Sequence, residues 1–188
     1  MEAKPKCVIV TGRPGSGKTT LSKKLSDLLH MPVLSRDEIK EGYVTSYGVS
    51  HEILSSDTNL KVTTFFFSAM QMFLNSRVSI VAEAAFQHKL WEANVHRLSD
   101  ISQIFFVICD LDPVLCAQRH LDRGLNDPTR EFYHGDNRVK VYRETGEFLE
   151  PGGYTPPSFD LPTLRVATSD GYSPELTDIR AFITEKSA

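Results

Sequence analysis

Glycines stand at positions 12, 15 and 17 of the run Gly12-Arg13-Pro14-Gly15-Ser16-Gly17-Lys18-Thr19, with Thr20 next. Without Cβ atoms, such a loop lets the backbone approach a ligand closely and adopt angles closed to other residues. Its N–H groups can then line a concave nest for an anion, and a helix beginning at its end adds a positive N-terminus. Lys18 supplies a mobile cation, and Thr19 a hydroxyl suited to Mg²⁺. The spacing G-x-x-x-x-G-K-[ST] is that of a loop gripping the phosphates of a nucleoside triphosphate. A glycine turn could match it by chance. The apolar run Cys7-Val8-Ile9-Val10 before it and the helical pattern after it supply the strand and helix that the motif requires.

Two carboxylates stand at the ends of apolar runs. Asp37, in Ser35-Arg36-Asp37, follows a short strand pattern, and strand C-termini in open α/β sheets face the ligand crevice. It could orient and deprotonate an acceptor hydroxyl. Equally, it could cap a helix starting at Glu38-Ile39-Lys40. Glu83 follows Val78 to Ala82; it could hold Mg²⁺ directly or through water, or simply end the strand. Arg119 and Arg123, four apart, share a helix face, and Arg130 lies shortly beyond. These arginines could meet charge on a transferring phosphoryl group, or form an ordinary solvated face. His88, His120 and His134 are scattered and suggest no zinc site.

Alternating apolar runs and helical stretches position these residues in an α/β, parallel-sheet pattern. Strands are predicted at Lys6 to Thr11, Pro32 to Ser35, Val78 to Ala82, Ile101 to Cys109 and Leu164 to Ala167. Helices are predicted at Lys18 to Leu29 and Lys89 to Leu98, the latter with Leu90, Trp91, Val95 and Leu98 inward. Asp57 to Asn75 is long enough for a buried helix, although Thr63-Thr64-Phe65 alone could be strand, and its Phe65–Phe67 cluster reads as core. Asp112-Pro113 opens another helix, which Gly124 should stop. A closing helix spans Pro174 to Thr184, and the termini should fray.

The excursion from about 124 to 162 is rich in Gly, Pro and charge. A short helix or hairpin around Val139 to Leu149 is open. Long excursions of this kind are often lids.

The 188 residues suit one domain covering 1–188, with 40% hydrophobic and 24% charged residues. A net charge of −3 gives no support to a nucleic-acid binder. No run reaches membrane-spanning length. The first six residues lack a signal-peptide core, and three cysteines without ligand spacing favour a reducing, cytoplasmic setting.

The segments VIVTGRPGSGKTT, LSRDEIK, SIVAEAAF, CDLDPVLCAQRHLDR and VATSDGYSPELTDI resemble those of the small P-loop kinases of the AAA_33 and zeta-toxin-like group. That group includes polynucleotide 5′-hydroxyl kinases, gluconate kinase and chloramphenicol phosphotransferase. The resemblance implies a three-layer P-loop NTPase fold. Its sheet is five-stranded and parallel, of adenylate-kinase type in order 2-3-1-4-5, with a lid. It implies that Asp37 activates the acceptor, Lys40 touches it, Arg119 packs by the adenine and Arg123 reaches the phosphates. Thr168, Ser169 and Asp170 would line the base. Glu83 stands where Asp is commoner, and Ile39 to Ser76 matches no single member.

The function expected is that of an ATP- and Mg²⁺-dependent kinase acting on a hydroxyl of a small polar metabolite or antibiotic. A polynucleotide 5′-hydroxyl kinase and a non-catalytic ATP-binding regulatory module are the alternatives. Lys18, Asp37 and Arg123 would be catalytic. Gly12 to Thr20, Arg119 and Thr168 would bind the nucleotide. Asp37, Lys40 and Arg130 would bind the acceptor, and Thr19 and Glu83 the metal.

Overall fold

A computed structural model describes residues 3–185. The expected fraying falls largely on positions 1–2 and 186–188, outside the described residues. Five strands, β1 (Lys6–Gly12), β2 (Val33–Ser35), β3 (Ile80–Glu83), β4 (Gln103–Asp110) and β5 (Thr163–Ala167), form one sheet in the order β2-β3-β1-β4-β5. Every pairing is parallel. Side chains alternate across a strand, so Cys7 and Ile9 of β1 enter one core with Phe66, Trp91 and Phe106. Val8 and Val10 enter the other, with Leu21, Leu25 and Ile179. Both faces are covered by helices, giving three layers.

The helices are α1 (Lys18–Leu29), α2 (Arg36–Tyr47), α3 (Thr58–Asn75), α4 (His88–Ile101), α5 (Pro113–Asn126), α6 (Thr129–His134), α7 (Asn137–Thr145) and α8 (Leu176–Glu185). A single 3-10 turn, His51–Ile53, lies between α2 and α3. No helix of the described residues is long and apolar enough to cross a membrane.

Asp57–Asn75 is helical from Thr58 onward. Its buried positions include Val62, Phe66, Met70 and Leu74, spaced as one helix face. A helix turns about 100° per residue, so three successive phenylalanines cannot all point inward. Phe65 is 46% exposed, against the expectation that it joins the core. Leu90 is likewise exposed, while Trp91, Val95 and Leu98 are buried. Ile101 ends α4 instead of opening β4.

Gly124 does not stop α5; the helix continues to Asn126. The glycine serves a close approach instead: a Cβ there would lie 2.3 Å from Val139 Cγ2 on α7. The excursion around Val139 is thus helical and docks on α5 through Val139, which is buried.

Candidate active site

The loop between β1 and α1 has the backbone its glycines were expected to provide. Gly15 has φ +84°, and a Cβ there would lie 2.1 Å from the Cys116 carbonyl. Gly17, at φ 87°, is the N-cap of α1, and no side chain caps that helix. The first N–H groups of α1 are therefore available to an anion. Lys18 is buried and donates to the Arg13 carbonyl at 2.9 Å. Burial pushes its ammonium below the usual range, while Glu83, Cys109 and Asp37 oppose that shift.

A cavity of about 440 Å³ opens over this loop. Pro14, Gly15, Gly17, Lys18, Thr19 and Thr20 line it, together with Asp37 and Glu83. Arg119, His120 and Arg123 of α5, Arg130 and His134 of α6, and Asp136 line it too. The phosphate loop, both carboxylates and three arginines thus share one space.

Ser35, and not Asp37, caps α2. Its Oγ accepts from the Glu38 N–H at 3.4 Å. The spacing Ser35-x-x-Glu38 is a capping-box pattern legible in sequence, and it releases Asp37 from that role. Asp37 is half-exposed, with Arg36 Nη1 3.3 Å from its Oδ1. Partial burial pushes its carboxyl up, but His134, Arg36 and Lys18 outweigh this and hold it below the usual range.

Glu83 is buried, and its Oε2 accepts from Ser35 Oγ at 2.9 Å. Burial raises its carboxyl, and Asp37 adds to the shift while Lys18 opposes it. The Thr19 hydroxyl and the Glu83 carboxylate are hard oxygen donors that line the same cavity. Mg²⁺ commonly binds one or two protein oxygens together with substrate phosphates, so this donor set fits it. Among the described residues, no three His, Cys, Asp or Glu side chains form a metal-holding group.

Arg119 donates to the Thr168 and Ser169 carbonyls at 3.1 and 2.9 Å, joining α5 to the turn after β5. Among the described residues, neither Arg123 nor Arg130 has a side-chain hydrogen bond or ion pair. Burial and the neighbouring Arg130 lower the Arg123 guanidinium, with Asp37 and Glu83 opposing. Arg123 and Arg130 thus line the cavity with no protein anion bonded to them among the described residues.

Among the expected residues, Gly12, Arg13, Ser16, Lys40 and Thr168 do not line this cavity. Arg13 donates to the Gly152 carbonyl at 2.7 Å and sits over the Tyr154 ring. Thr168 lies under the loop, donating to the Ser16 carbonyl at 2.8 Å. Gly12 and Ser16 are buried beneath it. Lys40 is 3% exposed and donates to the His134 carbonyl at 3.3 Å. His134 Nε2 in turn hydrogen-bonds Glu41 at 2.9 Å. His120 hydrogen-bonds Asp136, tying α5 to the start of α7. No local pattern marked His134, because its partners lie on α2.

The fold and site define a P-loop nucleotide-binding protein of kinase-like architecture. The chain belongs to a family described as an AAA domain, whose model matches residues 7–144. It is similar to a candidate kinase from Chloroflexus aurantiacus, at 25% identity and TM-score 0.71 over 98% of this chain and 95% of that one. It also resembles a gluconokinase from Sinorhizobium meliloti: 16% identity, TM-score 0.57, over 99% and 95% of the two chains. The Mycobacterium tuberculosis APS kinase, solved with AMPPNP and APS, shares 17% identity at TM-score 0.58 over 96% and 98%. These last two likenesses speak for the fold. No curated protein matches the chain.

Proposed function

We propose that the protein is an ATP-dependent kinase transferring the γ-phosphoryl group to a hydroxyl of a small polar metabolite or antibiotic. One observation carries this reading. Asp37, free of capping duty and accessible, faces the same cavity as the phosphate loop and the unbonded Arg123 and Arg130.

The loop N–H groups, the α1 N-terminus and Lys18 would hold the triphosphate, with Arg119 beside the base. Thr19 and Glu83 would hold Mg²⁺, which supplies neutralising charge at the phosphates when bound. Asp37 would accept a hydrogen bond from the acceptor hydroxyl and aim its oxygen at the γ-phosphorus. The new O–P bond forms as the bond to the leaving ADP oxygen breaks, and the hydroxyl proton passes to Asp37. A carboxylate with a lowered pKa is a weak base. Its main contribution is therefore orientation, with proton transfer late, as suits a loose transition state.

Arg123 and Arg130 would meet charge on the transferring group. The α6–α7 excursion, covering the cavity as a lid, would keep out water that could otherwise take the phosphoryl group.

The test is incubation with ATP, Mg²⁺ and a mixed metabolite extract, with products read by mass spectrometry. The expected result is a phosphorylated product that requires Lys18 and Asp37. ATP binding with no product from any fraction would leave a regulatory binding module instead.

A further inference from the structure

A second cavity, of about 370 Å³, lies between the His51–Ile53 turn, the start of α3 and the α6–α7 junction. His51, Glu52, Leu54, Ser55, Ser56 and Asn59 line it, Glu52 as an exposed carboxylate. Gly135 lines both this cavity and the one over the phosphate loop. A Cβ on Gly135 would come within 2.9 Å of His51 Cδ2. The two spaces therefore meet at Gly135.

Arg36 links the two sides. Its Nη1 lies 3.3 Å from Asp37 Oδ1, in the first cavity, and its Nη2 donates to Asn59 Oδ1 at 2.9 Å, in the second. The guanidinium is 14% exposed, and its Nε is buried without a hydrogen-bond partner. His51 Nδ1 is also buried without a partner. Buried polar nitrogens left unmet are costly and are rarely retained without a use.

Lys40 is buried nearby, and a neutral carbonyl is the partner of its ammonium. The carboxylates in reach are already engaged: Asp37 with Arg36 and Glu41 with His134. Burial lowers the His51 imidazole, and Lys40, His134 and Arg36 push it the same way, with Glu52 opposing. The largely buried cations Arg36 and Lys40 thus lie beside this cavity, and Glu52 is the carboxylate that lines it.

We propose that this second cavity receives an anionic group of the acceptor, a carboxylate or an oxyanion of phosphorus or sulfur. The acceptor is then a compact molecule whose hydroxyl meets Asp37 while its anion lies one guanidinium away, against His51 and Asn59. The Asn59 amide and the Ser55 and Ser56 hydroxyls line the cavity and can donate to that anion, and a turn of the His51 ring would bring its buried Nδ1–H to it. The assignment rests on the kinase reading for the hydroxyl, but the anion site stands on its own geometry.

Two measurements test it. The protein, saturated with AMPPNP and Mg²⁺ so that the phosphate loop is filled, is titrated calorimetrically with inorganic phosphate, sulfate and acetate. Saturable binding of at least one anion is expected, about tenfold weaker or more in His51→Ala and in Asn59→Asp, with AMPPNP affinity unchanged. The anion that binds identifies the chemistry. No saturable binding, or equal binding in both variants, overturns the proposal.

In the second measurement, the extract is split into neutral and anionic fractions before the transfer assay. Product from the anionic fraction alone supports the subsite. Product from the neutral fraction overturns it while leaving the kinase reading intact. Retained anion binding with no product from either fraction supports the subsite and removes the kinase reading.

Discussion

Ser35 Oγ donates to the Glu83 carboxylate across 2.9 Å and accepts from the Glu38 N–H at the start of α2. One hydroxyl thus joins the C-terminal end of β3 to the helix that carries Asp37. In the register of the sheet, Ser35 and Glu83 are direct parallel partners, so the two carboxylates hold a fixed relation. Asp37 projects from the first turn, with its charge held by Arg36 and with solvent access.

That arrangement predicts the behaviour of Asp37→Asn. The amide keeps the shape but is an uncharged, weaker acceptor that orients the hydroxyl less well and cannot take its proton. Phosphoryl transfer should fall by about 10²–10⁴-fold, with ATP affinity within a factor of about three. Parallel measurement of kcat and of nucleotide binding checks this. Transfer at the wild-type rate would remove Asp37 from the mechanism.

Arg123 and Arg130 face the cavity without a bonded anion of the described residues. Replacing either with Ala should lower kcat by about 10²–10³-fold, as loss of a transition-state charge partner does. Lys at the same position should restore little, because an ammonium lacks the planar fork of donors. Steady-state kinetics on the four variants decide this, and unchanged kcat in all four would return both arginines to the solvated surface.

Gly124→Ala sets two effects against each other. Alanine gains about 1 kcal/mol of helix propensity over glycine, but its Cβ would lie 2.3 Å from Val139 Cγ2. Overpacking costs about 1–3 kcal/mol, so the variant should lose stability on balance. The Gly124→Ala/Val139→Ala double variant should lose less than the sum of the singles, because the second change removes the clash. Urea unfolding of the set measures the coupling, and strict additivity would show that α5 and α7 do not press together here.

Lys40 carries a pH signature. Burial pushes its ammonium down to about 8, with Arg36 adding to the shift and Asp37 opposing it. The charge that would help hold an anionic acceptor is present below that pH and lost above it. KM for the acceptor should therefore rise above pH 8, while Asp37, held below its usual range, adds no acid limb between pH 5 and 8.

The stability effect has the opposite sense. Between about 8 and the usual 10.5 the unfolded chain binds more protons at Lys40 than the folded one, so this group makes stability rise with pH across that window. Lys40→Met should flatten both trends, as read from a pH series of KM and of unfolding midpoints.

The sequence determined what is local along the chain. The phosphate loop is legible because its glycines, Lys18 and Thr19 are contiguous, and steric rules for glycine act within a few residues. The strands were legible because a sheet covered on both faces demands unbroken apolar runs such as Ile104 to Cys109. The Ser35-x-x-Glu38 spacing of a capping box is in the sequence too, but it is the contact of Ser35 Oγ with the Glu38 N–H that settles which residue caps α2.

Tertiary structure alone decided which distant groups meet. His134 and Glu41 bond across 93 positions, and Gly135 joins two cavities, yet neither has a periodicity to announce it. The cost of closing so long a loop varies only slowly with its length. The docking of the α6–α7 excursion is therefore set by side-chain fit, such as Val139 against Gly124, and not by chain spacing. That docking brings Arg130 and His134 into the cavity that Asp37 lines, and Gly135 to the second cavity beside His51.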